Sequence, residues 1–334
     1  MTNMRTLTIL NDTHNGAHRA SGTTPLTAWQ LRQYLNSQLE GLVGSAECDL
    51  LILGDLFDTG HIPMADVLFA WNVLRGFCSR DFGRLYLVPG NHDLEKTLTT
   101  LSSFQFLCKL LSTEFPDVVE VLDSPTMVPG YDAYVIPHLP NQDLFNEALK
   151  GVPSCTHLLV HCNYHNNFAV ESDHSLNLSL EQAMALPVKH IVFAHEHQAR
   201  TALGGKVFVA GNQFPSSVAD CLGNDVKTYT VLSGARGAAP ERRQCWSRVG
   251  EYCEQDWRSL TDSGEKFIRV VGEATAEEAA DVVTAISKFR NKAKALVITN
   301  AVKIEGVQDG AQIQVSLEQI KSFSVLDAVL ELLD

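Results

Sequence analysis

A layered α/β architecture is what this sequence predicts, and three observations carry that expectation. Continuous apolar, β-rich runs at 7–10, 50–53, 85–88, 134–136, 158–160, 191–193, 207–209 and 228–232 read as buried strands. Between them, 25–42 and 64–77 space their apolar residues as helices do. The chain's 334 residues, 45% hydrophobic and 19% charged, are enough to bury a substantial core.

The elements follow in order along 1–235, which we read as one large domain. The segment 233–240, Ser-Gly-Ala-Arg-Gly-Ala-Ala-Pro, is rich in small residues and ends in proline, so it is expected to be a linker. A small α+β module is expected over 241–334: a polar stretch at 241–262, a strand at 266–271, a helix at 275–290, a strand at 295–304 and an amphipathic tail at 324–333. Thr275 followed three residues later by Glu278 fits a capping box and supports that helix start. The tail residues Phe323, Val325, Leu326, Val329, Leu330, Leu332 and Leu333 either pack on the module or offer a face to a partner.

Composition narrows the function classes. No apolar run approaches the ~20 residues of a membrane helix, and the first ten residues lack the pattern of a secretory signal, so a cytoplasmic location is expected. The eight cysteines are scattered without a C-x-x-C pair, which argues against a disulfide framework or a zinc ribbon. With 26 Lys+Arg against 39 Asp+Glu the formal charge is -13. A chain this acidic does not hold nucleic acid by bulk electrostatics; metal ions, a local basic patch or a partner would have to offset the charge. Arg242, Arg243, Arg248 and Arg258, interleaved with Trp246, Tyr252 and Trp257, are one candidate for such a patch; a partly packed connector is the other reading.

The chemistry sits immediately after the strands. The run 7–10 leads into Asn11-Asp12-Thr13-His14, 50–53 into Gly54-Asp55-Leu56-Phe57-Asp58, and 85–88 into Pro89-Gly90-Asn91-His92-Asp93. The run 158–160 ends at His161, and 191–193 runs into Ala194-His195-Glu196-His197. Open α/β sheets bind ligands outside the carboxyl ends of their strands, so these five segments are expected to converge at one rim. A lone aspartate after a strand is more often a cap or turn residue, and a lone histidine a satisfied core group. Together, carboxylate and amide oxygens with imidazoles suit a first-row ion such as manganese, iron or zinc. Two such ions, sharing a carboxylate, can clamp both oxygens of a phosphoryl displacement; Asp55 is the natural bridge. Gly54 and Gly90, lacking a Cβ, would let the backbone approach closely.

Asp12-x-His14, Gly54-Asp55-x-x-Asp58, Gly90-Asn91-His92-Asp93, His161 and His195-x-His197, in this order, resemble the calcineurin-like metallophosphoesterases. The resemblance implies a four-layer α/β/β/α sandwich with two divalent metal ions. One would be held by Asp12, His14, Asp55 and His197, the other by Asp55, Asn91, His161 and His195. His92 would face the scissile phosphate as general acid or charge stabiliser, with Asp93 orienting it. The family commonly has glycine where this chain has Ala194.

The run from Gly54 to Gly60, His14-Asn15-Gly16, and Ala210-Gly211-Asn212-Gln213-Phe214-Pro215-Ser216-Ser217 followed by Asp220 look like the SbcD branch. That likeness implies a manganese-dependent DNA exonuclease and endonuclease working with an SMC-like ATPase of the SbcC type, with the module at 241–334 helping to grip DNA and to dock the ATPase, and homodimers are common among such subunits. Asp58 stands where some relatives carry a histidine that positions the sugar-phosphate backbone, which makes it a second catalytic candidate. A phosphomonoesterase or small-molecule phosphodiesterase of the same superfamily is the alternative. His165 and His174, after His161, are candidate substrate contacts; His138, His157 and His190 read as structural or surface groups.

Overall fold

A computed structural model describes residues 5–17, 20, 22–95, 100–166 and 175–305. His174 and the expected tail at 324–333 lie outside them.

Two six-stranded sheets dominate the described residues. In the first, β1 (Thr6–Leu10), β2 (Asp49–Leu53), β3 (Leu85–Val88) and β4 (Val119–Val121) run parallel. Two antiparallel strands, β13 (Val226–Ser233) and β14 (Glu241–Ser247), complete the order β14-β13-β1-β2-β3-β4. The second sheet has the order β11-β12-β10-β7-β6-β5. Its parallel centre is β6 (Ala133–Ile136), β7 (Cys155–His161), β10 (Val188–Ala194) and β12 (Val207–Val209). Its antiparallel edges are β5 (Thr126–Met127) and β11 (Arg200–Ala202). A short pair, β8 (Asn163–Tyr164) and β9 (Asn177–Leu178), follows β7.

The period-2 alternation of the strands divides the core. Leu51 and Leu53 of β2 join Tyr86, Val88, Val135, Leu159, Val192 and Phe208 in one buried cluster shared by both sheets. Their neighbours Leu50 and Ile52 point the other way, into a cluster with α1 (Pro25–Ser45), α2 (Met64–Cys78) and α3 (Ser103–Glu114). Leu158, Val160, Ile191 and Phe193 pack outward against α4 (Gln142–Lys150) and α5 (Leu180–Ala185). Strands buried on both faces have no polar alternation to show, which is why they read as continuous apolar runs. The mixed α/β class expected from the sequence is the class observed. α1 starts where Thr24 and Thr27 cap each other, with Pro25 in the first turn.

The segment expected as a linker turns a hairpin. Residues 234–240 join β13 to β14, and β14 bonds into the first sheet, with Tyr229 opposite Arg243 and Val231 opposite Glu241. Beyond it, β15 (Tyr252–Asp256), β16 (Phe267–Val271) and β18 (Val297–Asn300) form a parallel sheet. β17 (Glu273–Ala274) pairs with β19 (Lys303–Ile304). α6 (Ala279–Arg290) covers this module through Val282, Ile286 and Phe289. The capping box at Thr275 and Glu278 forms, but it closes a turn ahead of the helix, which starts four residues later than its Thr275 signal. Tyr252, Phe267, Leu296 and Val297 also join the cluster containing Tyr34 of α1, so the module is packed onto the first sheet's helical side. Among the described residues no helix is long and apolar enough to cross a membrane.

Candidate metal centre

The five motif segments meet at the carboxyl ends of β1, β2, β3, β7 and β10. After β1 and β2 the chain keeps its ladder going in an unusual backbone conformation. Asp12 N–H donates to Gly54 O (3.1 Å), His14 N–H to Asp55 O (3.0 Å) and Asn15 N–H to Leu56 O (2.8 Å). Six described non-glycine residues have positive φ, and four of them are Asp12 (49°), His14 (46°), Asp55 (51°) and His195 (83°). Strain concentrated on candidate ligands is the pattern of a site whose surroundings hold it against local preference. Gly54, at φ 81°, cannot be replaced without a clash: a Cβ there would lie 2.2 Å from His161 Nδ1. A Cβ on Gly90 would lie 2.2 Å from Asp55 Oδ1.

These constraints gather three triads of ligand atoms: Asp12 with His14 and His197, Asp55 with His161 and His195, and, sharing His14 with the first, Asp58 with His92. The first joins the two sheets through His195 N–H, which donates to Asp12 Oδ2 at 2.9 Å, and through His14 Nε2, which lies 3.1 Å from His197 Nε2. In the second, His161 Nε2 lies 3.2 Å from Asp55 Oδ2 and 3.0 Å from Asn91 Oδ1, and His195 Nδ1 is also 3.0 Å from Asn91 Oδ1. His161 Nδ1 donates to Leu53 O at 3.1 Å, which leaves its Nε2 for the triad. The seven residues expected to hold ions, Asp12, His14, Asp55, Asn91, His161, His195 and His197, are thus brought together. The donor set fits divalent cations: His14 Nε2 and His197 Nε2 converge on one another, and the nitrogens of His161 and His195 converge on carboxylate and amide oxygens.

Electrostatics tell the same story. Burial disfavours charge on His161, but Asp55 outweighs it and raises His161 to about 9. Burial likewise opposes protonation of His197, and Asp220, 2.6 Å from its Nδ1, more than compensates, again to about 9. Asp55 is held well below the usual carboxylate range: burial works against ionisation, and the imidazoles, His161 foremost, overcome it. His195 goes down to about 4 through burial and the neighbouring His161 charge. In the metal-free protein at neutral pH, His161 and His197 therefore each carry an extra proton, which a cation must displace. Titration calorimetry of a divalent cation at pH 7 in buffers of different protonation enthalpy should show release of up to two protons per chain. That number should fall towards zero as the pH rises through about 9. Release independent of pH would contradict the assignment.

His92 is exposed at the edge of this cluster. Its main-chain N–H donates to Asp55 Oδ1 (2.9 Å), and its Nδ1 donates to the main-chain oxygen of Asp58 (2.6 Å), so Nε2 is the nitrogen left for a ligand. Asp93 does not orient it. That carboxylate is buried and accepts from Gly90 N–H and Phe57 N–H, both at 3.0 Å, tying the loop after β3 to the loop after β2. Burial, then repulsion from Asp55, pushes Asp93 up to about 7. Asp58 turns its carboxylate towards His14, with Oδ1 3.5 Å from Nδ1.

Several contributors escaped the sequence reading. Asn11 and Gln213 exchange two 2.9 Å bonds, and Asn11 also donates to Asp12 Oδ2. Asp220 partners His197 from 23 residues away; Ser217-x-x-Asp220 signals a turn in sequence, but not where the carboxylate's second oxygen goes. His138 was findable, because Pro137-His138 directly follows β6 just as the other motifs follow their strands. Burial, then the charge of His161, lowers it to about 4, with His195 and His92 also acting on it. His165 rests beside Tyr164, at 6.2 Å between rings, while His157 and His190 stack on each other.

The arginine and aromatic candidates are engaged internally. Arg242 donates to Val209 O and Ala210 O and lies 3.9 Å over the Phe208 ring. Arg243 pairs with Glu47, Arg248 with Asp225 and Arg258 with Glu278. Trp246, Tyr252 and Trp257 are buried. Arg242 and the three rings are thus packed as the connector reading expects, while Arg243, Arg248 and Arg258 remain partly exposed in surface ion pairs.

Two sheets packed through one shared core, whose strand ends bring carboxylates and imidazoles together, make a rim suited to gripping a phosphoryl group, and the class they define is the metal-dependent phosphoester hydrolase. A profile of the calcineurin-like phosphoesterase family matches residues 5–199, more than half of the chain, and the chain belongs to that family. No curated protein shows significant similarity to it. Among solved structures, one described as a novel archaeal phosphodiesterase is similar at 11% identity and a TM-score of 0.35, over 72% of this chain and 99% of that one.

Proposed function

We propose that this phosphoester hydrolase is a manganese-dependent DNA nuclease of the SbcD type, acting in DNA end processing with an SMC-like ATPase of the SbcC type. The observation that carries the reading is the use made of residues 210–220, the segment that resembles the SbcD branch. Gly211 O accepts from Asn11, Gln213 braces Asn11, and Asp220 anchors His197, so the segment is built into the centre itself. An exposed His92 beside buried ligands also suits an extended strand better than an enclosed small molecule.

The roles divide as follows. Asp12, His14, Asp55 and His197 would hold one ion, and Asp55, Asn91, His161 and His195 the other. Divalent ions there supply positive charge to a phosphoryl group and lower the pKa of an attacking water. Asp55, Asn91 and the imidazoles fix where the phosphate sits, while Asp93 locks the two loops that carry them. His92, held through Nδ1 by the Asp58 carbonyl, presents Nε2 to deliver a proton to the leaving oxygen. In a chain of net charge -13, divalent ions held by these residues would offset part of the charge that opposes DNA. Docking of the ATPase and pairing into a homodimer complete the proposal, and a cytoplasmic location accords with such work.

The test is cleavage of end-labelled linear DNA with and without Mn2+, with p-nitrophenyl phosphate and bis-p-nitrophenyl phosphate in parallel. Manganese-dependent DNA degradation is the expected result. Turnover of the small esters with DNA left intact, even with an SbcC-type ATPase added, would move the assignment to a small-molecule phosphoesterase.

A further inference from the structure

We propose that Asp58 and Asp220 are a matched pair of positioning residues, one behind each imidazole of the first ion position, His14 and His197. The inference rests on reading the cluster as a two-ion centre and goes beyond it by saying what aims the ligands.

The four side chains form a chain of neighbours. Asp220 Oδ1 is 2.6 Å from His197 Nδ1, His197 Nε2 is 3.1 Å from His14 Nε2, and His14 Nδ1 is 3.5 Å from Asp58 Oδ1. A carboxylate behind Nδ1 keeps a proton there, which directs the Nε2 lone pair forward. With both imidazoles so arranged, two lone pairs face each other, an arrangement that only a cation between them, or a proton, makes favourable. His14 Nδ1 is buried with no hydrogen bond, so a shift of a few tenths of an ångström towards Asp58 would satisfy it.

Each carboxylate is itself anchored. Asp220 Oδ2 accepts from the main-chain N–H and the hydroxyl of both Ser216 and Ser217, at 2.9 to 3.1 Å. The main chain of Asp58 is fixed on both sides, its N–H on Asn15 O and its carbonyl on His92 Nδ1. Its carboxylate and its carbonyl therefore serve different histidines, and a side-chain substitution alters only the first. The second ion position is built otherwise: His161 gives its Nδ1 proton to the main-chain oxygen of Leu53, which no substitution of a carboxylate can remove. Loss of an orienting partner of this kind typically weakens metal binding 10–100-fold.

The experiment is 15N imidazole NMR of the full chain, first metal-free and then titrated with Zn2+ as a diamagnetic probe, for the unaltered protein, Asp58→Ala, Asp58→Asn and Asp220→Asn. In the unaltered metal-free protein both His14 and His197 should carry a proton on Nδ1. Asp58→Ala should weaken Zn2+ at the His14 and His197 signals by roughly 10–100-fold, with the His161 and His195 signals unmoved. Asp58→Asn, which keeps an acceptor oxygen, should recover part of the loss, and Asp220→Asn should act on the same pair of signals. Asp58 is partly exposed, so its variants test the idea even if Asp220→Asn disturbs the serine turn. Unchanged Zn2+ binding in Asp58→Ala, equal weakening of both positions, or a His14 proton on Nε2 would overturn the pairing while leaving the two-ion centre standing. Failure of the unaltered chain to bind Zn2+ would defeat both.

Discussion

Gly54→Ala is expected to destabilise the protein by roughly 2–5 kcal/mol and to dislodge His161, an effect out of scale with one added methyl group. Two costs combine. A side chain at φ 81° pays roughly 1–2 kcal/mol for the left-handed backbone. The new Cβ would also meet the His161 ring at 2.2 Å, and forcing a methyl group into a packed core costs roughly 1–3 kcal/mol. The ring cannot move away freely, because Nδ1 is tied to Leu53 O and Nε2 lies between Asp55 and Asn91. Denaturant midpoints at constant m, with metal content by equilibrium dialysis, measure the two effects. Gly41→Ala is the internal control: Gly41 is exposed within α1 with open space around it, and the same change there should stabilise by about 1 kcal/mol. A Gly54→Ala protein as stable as its parent, with full metal content, would show that the loop does not pack against His161 as described.

His92→Ala should reduce DNA cleavage by about 10²- to 10⁴-fold with metal content and stability almost unchanged. The side chain is exposed, and its main-chain N–H, which survives the substitution, is what reaches Asp55. The size of the loss should depend on the leaving group. A nucleoside alkoxide is a poor leaving group that needs a proton, whereas nitrophenolate departs without one. If His92 is the proton donor, the variant should lose much more activity on DNA than on bis-p-nitrophenyl phosphate. Equal losses would make it a charge stabiliser, and a parallel fall in bound metal would make it a structural prop.

What could be read in the sequence was whatever sits next to a strand end. Asp12, His14, Asp55, Asn91, His161, His195 and His197 each follow an apolar run within a few residues, so local pattern and the geometry of parallel sheets were enough to place them at one rim. Supporting contacts were opaque because their partners are far away in the chain: Asn11 meets Gln213 across 202 residues and Arg242 meets Val209 across 33. For the same reason nothing in 241–258 says that Arg242 is spent on the carbonyls of Val209 and Ala210. Asp93 misled through proximity, since the residue beside His92 turns inward to Gly90 and Phe57 instead. The small-residue run at 233–240 was read as a break between units, whereas small residues serve a hairpin equally well.

The place of β13 between β1 and β14 has a consequence for how the enzyme comes into being. β1 is paired on one edge by β2, which is near in the chain, and on the other by β13, so the sheet is closed only when residues 226–233 are in place. His195, His197 and Asp220 lie far along the chain as well, so a complete centre needs residues up to Asp220 besides the strand that closes the sheet. The site therefore cannot form from the first part of the chain alone: its ligands after β1 and β2 need partners contributed after β10, and the sheet that bears them is closed by β13, which lies beyond the residues matched to the family.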